Sequence, residues 1–401
     1  MKYKDLEFEG LELMIGALLG IGIGLFLGAY IWVWLKMKEI ESWQNGKYIP
    51  NSEIGTKLWD GHYFFGWAVF DAFRTYGHSF HMLDCHLDRF YQSAKMTSIN
   101  IPLNKQELKE KIYEVAKHNK QFFPKDEEFR FMVFASPGYF KIYDDMGKPE
   151  PILTINVTTC SRYAKHVYPY LKTGYTGLIS TQMQIPSRFL DPKIKSCSRL
   201  HYGIAENEAK TYGEWVQPIL LDEHGFITES SGSNFGFFKD GQICLPRDNN
   251  ILRGCTMQFV EQTVFGNLDV VKDNWEPYDV INADFAFFTS TFLGLVPCYE
   301  IIYRNRKYKL NKNKKLIEEM MKKYGNVLGL DVNKQWKDWY EKNWKNITYI
   351  ILDRNDNLYN WFGISWFGYM KKEIDIKWIM IIVVILIIFA MYIYIKYPVV
   401  C

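Results

Sequence analysis

Metal-type clusters, basic runs and repeats are all missing from this 401-residue chain. Its seven cysteines (85, 160, 197, 244, 255, 298 and 401) form no CxxC and no Cys/His cluster. That excludes a zinc site of ordinary spacing, so no metal is expected. It also argues against a disulfide framework and suits a reducing compartment. The formal net charge is only +3, with no basic run, so a nucleic-acid footprint is not expected. No internal repeat is visible. The chain is long enough for two domains with separate cores.

Charge is absent altogether from two long stretches. Residues 13–35, LMIGALLGIGIGLFLGAYIWVWL, carry none over 23 positions, about 34 Å of helix and enough for a bilayer core. GIGIGLFLG within it lies in a continuous apolar run and opens no polar helix, unlike a nucleotide loop. Gly16, Gly20, Gly24 and Gly28 instead give one face of small residues suited to close helix packing. Residues 378–395, WIMIIVVILIIFAMYIYI, form a second run of 18, bracketed by Lys377 and Lys396. Two transmembrane helices and a lipid-bilayer partner are expected. Lys36, Lys38, Lys371, Lys372 and Lys377 on the body side outnumber Lys2, Lys4 and Lys396 beyond the runs, which places the body in the cytoplasm. Two sequons, at Asn156 and Asn346, oppose this only if glycosylated. The expected boundaries are a tail over 1–12, helices over 13–35 and 378–395, a small α/β domain over 43–150 and a larger domain over 151–330. An aromatic-rich segment over 331–377 is expected to lie against the bilayer.

Between the runs, WQNGKYIPN reads as a hairpin with an Asn45-Gly46 turn, and residues 63–82 read as a strand pair. Leu83, Leu87, Phe90 and Ala94 follow helical spacing, and NKQELKEKIYEVAKHNKQ reads as a further helix. EFRFMVFASPG is a strand, and PILTINVTTCSRY is expected to open the second domain. That domain contains the strands GLIST, QPILLD, FITESS, NFGFFKDGQICLP and FAFFTSTFLGLVP, with helices near 198–212, 255–265 and 313–325.

Several residues carry chemistry. Glu229, in GFITESSGSN, ends an apolar strand and needs a cationic partner if buried. Gly254-Cys255-Thr256 stands at a helix start, where free N–H groups and a hydroxyl suit phosphate as well as an ordinary cap. Thr289, Ser290 and Thr291 follow another apolar strand, and Arg89 lies on an amphipathic helix. DPKIKSCSRL offers two lysines, Lys193 and Lys195, which alternation alone does not separate.

The order of these motifs is specific. H-L-D-R-F-Y-x-S-A-K, I-K-S, I-T-E-S-S-x-S-N, I-L-R-G-C-T and T-S-T, preceded by FGWAVFDAF, resemble the class IV pyridoxal-phosphate aminotransferases. That family includes branched-chain and D-amino-acid aminotransferases and aminodeoxychorismate lyase. The resemblance runs from about Trp43 to about Gly329. It implies a two-domain α/β fold, with a small domain and a larger, mixed β-barrel-like one. It further implies pyridoxal 5'-phosphate (PLP) as cofactor, a homodimer, and amino acid and 2-oxo acid as substrates. Lys195 matches the Schiff-base lysine and Glu229 the carboxylate beside the pyridine nitrogen. Arg89, Thr256 and Thr291 match phosphate-binding positions, with Cys255 adding its N–H. Lys193 is left as a surface charge.

The chain departs from the family pattern at several positions. Gly236 stands where an aromatic is usual, Leu245 for a threonine, Cys255 for an aliphatic and Met257 for a basic residue. Phe292 and Leu293 replace two small residues of the branched-chain enzymes, and Pro137 stands where the D-amino-acid branch has arginine. Arg130 resembles an arginine of the branched-chain enzymes that receives a carboxylate. Arg199 is closer to the lyase pattern. Substrate contacts are therefore expected at Arg130, Arg199 and Phe292. The leading expectation is a membrane-anchored aminotransferase, branched-chain-like. The rivals are a lyase of the same family and a catalytically idle membrane scaffold.

Overall fold

The computed structural model describes residues 40–138, 150–310 and 312–345, all within one compact unit. The chain begins with the hairpin β1 (Glu41–Gln44) and β2 (Lys47–Pro50), turned at Asn45-Gly46, where both residues have positive φ, 44° and 90°. A short helix α1 (Gly61–Phe65) occupies the first part of the expected strand pair; the strands are β3 (Val69–Tyr76) and β4 (Ser79–Phe80). Asp60 caps α1 through its side chain, which explains why an aromatic-rich stretch starts as a helical turn.

Next come α2 (Leu83–Met96) and α3 (Lys105–Asn119). Leu83, Leu87, Phe90 and Ala94 form the buried stripe of α2, as their spacing requires. Asn104 and Glu107 close a capping box at the start of α3. Strands β5 (Phe129–Ser136) and β6 (Ile152–Thr159) complete a six-stranded sheet of order β2-β1-β6-β5-β3-β4. β6 therefore belongs to the first sheet, paired with β5 from Phe129↔Thr159 to Ser136↔Ile152, and does not open the second domain. Its inward residues Leu153, Ile155 and Val157 join the core of Phe73, Phe131 and the two helices, which draws the strand there.

The second layer holds α4 (Ala164–Thr173), β7 (Tyr175–Met183), α5 (Leu200–Lys210), β8 (Val216–Leu221), β9 (Ile227–Ser230), β10 (Asn234–Lys239) and β11 (Gln242–Pro246). It continues with α6 (Cys255–Thr263), β12 (Val270–Asp273), α7 (Pro277–Ile281), β13 (Phe285–Ser290), β14 (Gly294–Tyr303), β15 (Arg306–Lys309) and α8 (Lys314–Val327). Its nine strands run β12-β11-β10-β13-β14-β7-β8-β9, with β15 beside β14. The sheet curls until β9 meets β10 and β11. Trp275 links those edges, accepting from Ile227 N–H at 2.7 Å and donating its indole N–H to Leu245 O at 2.8 Å. Gly236 answers one departure from the family pattern: a Cβ there would strike Leu245 and Phe287, which fill the space an aromatic side chain would occupy.

The aromatic-rich segment is corrected in its first part. Residues Val332–Lys345 form helix α9 on the body, with Trp336 fully buried against Phe292 (ring centroids 5.2 Å) and Trp339 buried beside it. Burying two such rings in protein is worth several kcal/mol, which holds α9 on the body. No helix among the described residues is long and apolar enough to cross a membrane. The runs 13–35 and 378–395, with 346–377, lie outside the described residues.

Candidate active site

Lys195 sits on a strap, 191–198, that fills the open edge of β3. Phe70 N–H donates to Lys195 O at 3.0 Å, Cys197 N–H to Ala68 O at 2.8 Å, and Lys195 N–H to Ser93 Oγ at 3.1 Å. Ile194 packs into the first core and turns the strap inward. The two lysines then separate: Lys193 pairs with Asp191 at 2.8 Å, while Lys195 lines a cleft between the two layers. That cleft has about 720 Å³ of empty space including its mouth, and Arg89, Glu229, Cys255, Thr256, Thr291 and Arg199 line it too. Burial, reinforced by the Arg89 and Arg199 charges, lowers the Lys195 ammonium to about 8.

Glu229, at the end of β9, is buried, and burial raises its carboxyl above the usual range. Three donors oppose that. Tyr202 O–H reaches Glu229 Oε1 at 2.9 Å, Asn234 Nδ2 reaches Oε2 at 3.0 Å, and Gln184 Nε2 stands 3.5 Å from Oε1. Gln184 also donates to Tyr202 Oη at 2.6 Å. Asn234 extends its amide to Leu252 O at 2.8 Å, and its oxygen lies where a Cβ on Gly254 would sit, so only glycine fits there.

Arg89 is fixed by Asp71, Nε to Oδ2 and Nη2 to Oδ1, both at 2.8 Å, and Nη1 donates to Arg253 O at 3.0 Å. His86 supports the same carboxylate at 2.8 Å. The paired guanidinium holds the buried Asp71 well below the usual carboxylate range, although burial alone pushes it up. Gly254 provides no side chain to cap α6, so no side chain takes the first N–H groups of that helix, which suit an anion. Thr256 Oγ1 lies 3.4 Å from Thr291 Oγ1 across the cleft.

Of the other expected contacts, Arg199 lines the cleft, donating to Ser231 O and lying 4.4 Å from the Tyr202 ring. Arg130 and Phe292 do not line it. The Arg130 guanidinium sits 5.6 Å from the Phe292 ring and 5.8 Å from Tyr163, while Phe292 packs on Trp336. Bulk at position 292 is therefore directed into α9 rather than into the cleft. Tyr202, Asp71, His86 and Gln184 carry the site's polar framework without having been picked out individually. Asp71 had a readable signal, an acid in the middle of an apolar strand. Tyr202 had none, since a tyrosine on an amphipathic helix is ordinary.

These features define a class: a two-layer α/β enzyme whose interlayer cleft brings an amine of lowered pKa, a buried carboxylate and an arginine–threonine anion seat together. The model of the family described as amino-transferase class IV matches residues 68–301, and the chain belongs to that family. A Methanocaldococcus jannaschii protein, provisionally named a branched-chain-amino-acid aminotransferase, is 29% identical over 69% of this chain and 93% of its own. The aminodeoxychorismate lyase of Bacillus subtilis is 25% identical over 64% of this chain and 85% of its own. The fold is similar to that of a branched-chain aminotransferase from Thermoproteus uzoniensis crystallised with norvaline (TM-score 0.62, 21% identity, 75% of this chain and 98% of that one).

The class works with PLP, and the residues present fit it. Ser230 Oγ, Thr289 Oγ1 and both ring nitrogens of His201 are buried without hydrogen-bond partners, and all three residues line the cleft. A polar ligand with several acceptors would satisfy such groups; an apolar one would leave each at a cost of about 1–3 kcal/mol.

Proposed function

We propose that this aminotransferase moves an amino group between a branched-chain-like amino acid and a 2-oxo acid, with Lys195 as the reacting amine. The observation that carries the reading is the convergence of Lys195, Glu229, Arg89, Thr256 and Thr291 on one cleft. When bound, PLP supplies an electron sink for the pair left on the substrate Cα as its proton departs. The chain does the rest. Arg89, Thr256, Thr291 and the α6 N-terminus bind the phosphate. Glu229 would pair with the protonated pyridine nitrogen, and Tyr202 and Asn234 donate to its carboxyl against the upward push of burial. Lys195 Nζ, its pKa lowered to about 8, would be the amine that holds the cofactor's aldehyde. With substrate bound, the same Nζ would carry the proton to and from the substrate Cα.

Arg199 supports a second reading, a lyase of the same family, because it lines the cleft beside Tyr202. The two are separated by an acceptor test. Transamination of branched-chain donors requires a 2-oxo acid such as 2-oxoglutarate, whereas lysis of an aminodeoxychorismate-type substrate proceeds without one. A visible band formed with added PLP and shifted by an amino acid is the expected first result. Failure of the protein to form any band with PLP would sink both enzyme readings and leave the scaffold.

The uncharged runs 13–35 and 378–395 support a membrane tether, and their flanking lysines support a cytoplasmic body. Recovery of the full chain in the soluble fraction after carbonate extraction of membranes would overturn the tether. Degradation of the body by protease added outside intact cells would overturn its orientation. Membership of the family supports a homodimer, and a monomeric mass in detergent by light scattering would refute it.

A further inference from the structure

Cys85 and Cys255 come together although they are 170 positions apart in sequence, with sulfurs 2.6 Å from each other, well inside van der Waals contact. Cys85 lies in the first turn of α2, one turn before Arg89; Cys255 is the first residue of α6, directly before Thr256. The contact therefore joins the two helices that bear the phosphate seat. A disulfide, with sulfurs about 2.05 Å apart, needs only a small further approach.

The pair is asymmetric. Cys85 is partly exposed, and Cys255 is buried. The hydrogen bond between the two sulfurs, assisted by the Arg89 charge, lowers the Cys85 thiol and, with burial, raises the Cys255 thiol while both are reduced. Burial instead raises Cys160, Cys244 and Cys298 to about 12, and Cys197 to about 11. Among the described cysteines, Cys85 is the one suited to attack.

We propose that Cys85 and Cys255 are a modification site. They close to a reversible disulfide by exchange with a low-molecular-mass disulfide, which clamps α6 against α2 and slows passage of the PLP phosphate into and out of its seat. The clamping half rests on the PLP reading above. The Cys85 thiolate attacks one sulfur of the external disulfide, forming a mixed disulfide and releasing one thiol after protonation. Cys255 gives up its proton and attacks the Cys85 sulfur, expelling the second thiol. The protein loses two protons and two electrons, together two hydrogen atoms, and the external disulfide gains them as two thiols. In a reducing compartment such a bond is transient, in keeping with a regulatory rather than a structural pair.

The test uses the full-length protein, stripped of cofactor, exposed to glutathione disulfide and compared with a dithiothreitol-treated sample. Wild type is expected to lose two hydrogens in intact mass and to yield a peptide linking Cys85 to Cys255. Cys255→Ser is expected to stop at a glutathione adduct on Cys85, and Cys85→Ser to form no link. PLP uptake, followed by its visible band, is expected to slow several-fold in oxidised wild type and to be insensitive to oxidant in Cys85→Ser. Absence of the linked peptide, or the same glutathione adduct in wild type and Cys255→Ser, overturns the site. A linked protein that takes up PLP at the reduced rate overturns the clamp. A reduced protein that takes up no PLP at all refutes the cofactor reading, while the peptide map still decides the disulfide.

Discussion

Tyr202 gives its hydroxyl hydrogen to Glu229 Oε1 at 2.9 Å while receiving one from Gln184 at 2.6 Å, so the carboxylate rests on a two-step chain of donors. Burial works against the charge on Glu229, and this chain works for it. Tyr202→Phe keeps the ring and deletes the donor, so the Glu229 carboxyl rises further. A hydrogen bond to a charged group is worth about 1.5–3 kcal/mol, roughly a tenfold to hundredfold effect. The acid limb of the kcat/KM profile should therefore move to higher pH and PLP should bind at least about tenfold more weakly. An unmoved acid limb would reduce Tyr202 to packing.

PLP capture by the apoprotein should follow the neutral fraction of Lys195. The rate of band formation is expected to climb through pH 8 and level off above it, because burial and the Arg89 and Arg199 charges hold the amine near 8. Arg199→Ala removes a like charge, makes the ammonium easier to keep, and shifts the midpoint alkaline. Lys195→Ala should give no band at any pH. A midpoint that stays put in Arg199→Ala would mean that burial and Arg89 set the lysine without Arg199.

Lys195, Glu229, Arg89, Thr256 and Thr291, which line one cleft, were picked out through the order of their motifs and the family resemblance it carries, since no motif alone separated Lys195 from Lys193. The helices at 83–96, 105–119, 200–210, 255–263 and 314–327 were legible in outline, most clearly the first, where Leu83, Leu87, Phe90 and Ala94 keep helical spacing. What stayed hidden depends on tertiary choices. β6 alternates as well for one sheet as for another, and only the fit of Leu153, Ile155 and Val157 to the first core assigns it. The tryptophans of α9 suit a bilayer surface and a protein groove equally in composition. The buried Arg74, enclosed by Tyr76, Trp336 and Trp339, made the groove the better partner for them. Tyr202 was invisible because its role depends on where α5 lies relative to Glu229.

Gly254 is required by close approach rather than by backbone angle. The Asn234 amide occupies the place of a Cβ, and the same amide holds Glu229 and Leu252 O. Gly254→Ala must push Asn234 aside, which tilts the start of α6 and releases one donor from Glu229. The variant should fold, with a far-ultraviolet spectrum like wild type, yet bind PLP about tenfold or more weakly by fluorescence titration. Wild-type affinity would show that the loop 252–254 yields without disturbing the seat.

Asp71 holds Arg89 at two points, so Asp71→Asn should uncouple the anion seat from the rest of the cleft. Arg89 keeps its charge but loses its bidentate partner, and a half-satisfied guanidinium in a buried site swings towards other acceptors. Inorganic phosphate and PLP should both weaken, by a similar factor, and the Lys195 midpoint should move to lower pH because the Asp71 charge that favours the ammonium is gone. Loss of PLP affinity with phosphate affinity intact would instead place the damage at Lys195, whose charge Asp71 also helps to stabilise.

Arg74 links the turn behind Thr291 to α9. It is fully buried, donates to Phe292 O at 3.1 Å and to Gln335 Oε1 at 2.9 Å, and lies 4.1 Å from the Tyr76 ring. Tyr76 in turn places its hydroxyl 3.3 Å from Thr291 O, so the turn that presents Thr291 to the cleft is braced from behind at two successive carbonyls. Arg74→Met retains the stem but strands the Phe292 and Gln335 acceptors in the interior, at about 1–3 kcal/mol each. Unfolding in urea should show a loss of about 3 kcal/mol, and PLP affinity should fall because the Thr291 turn loosens. Trp336→Ala, which empties the groove that the same arginine borders, should cost about 3–5 kcal/mol. If Arg74→Met lowered stability while PLP affinity stayed at the wild-type value, the brace would serve the fold alone and α9 would have no hold on the site.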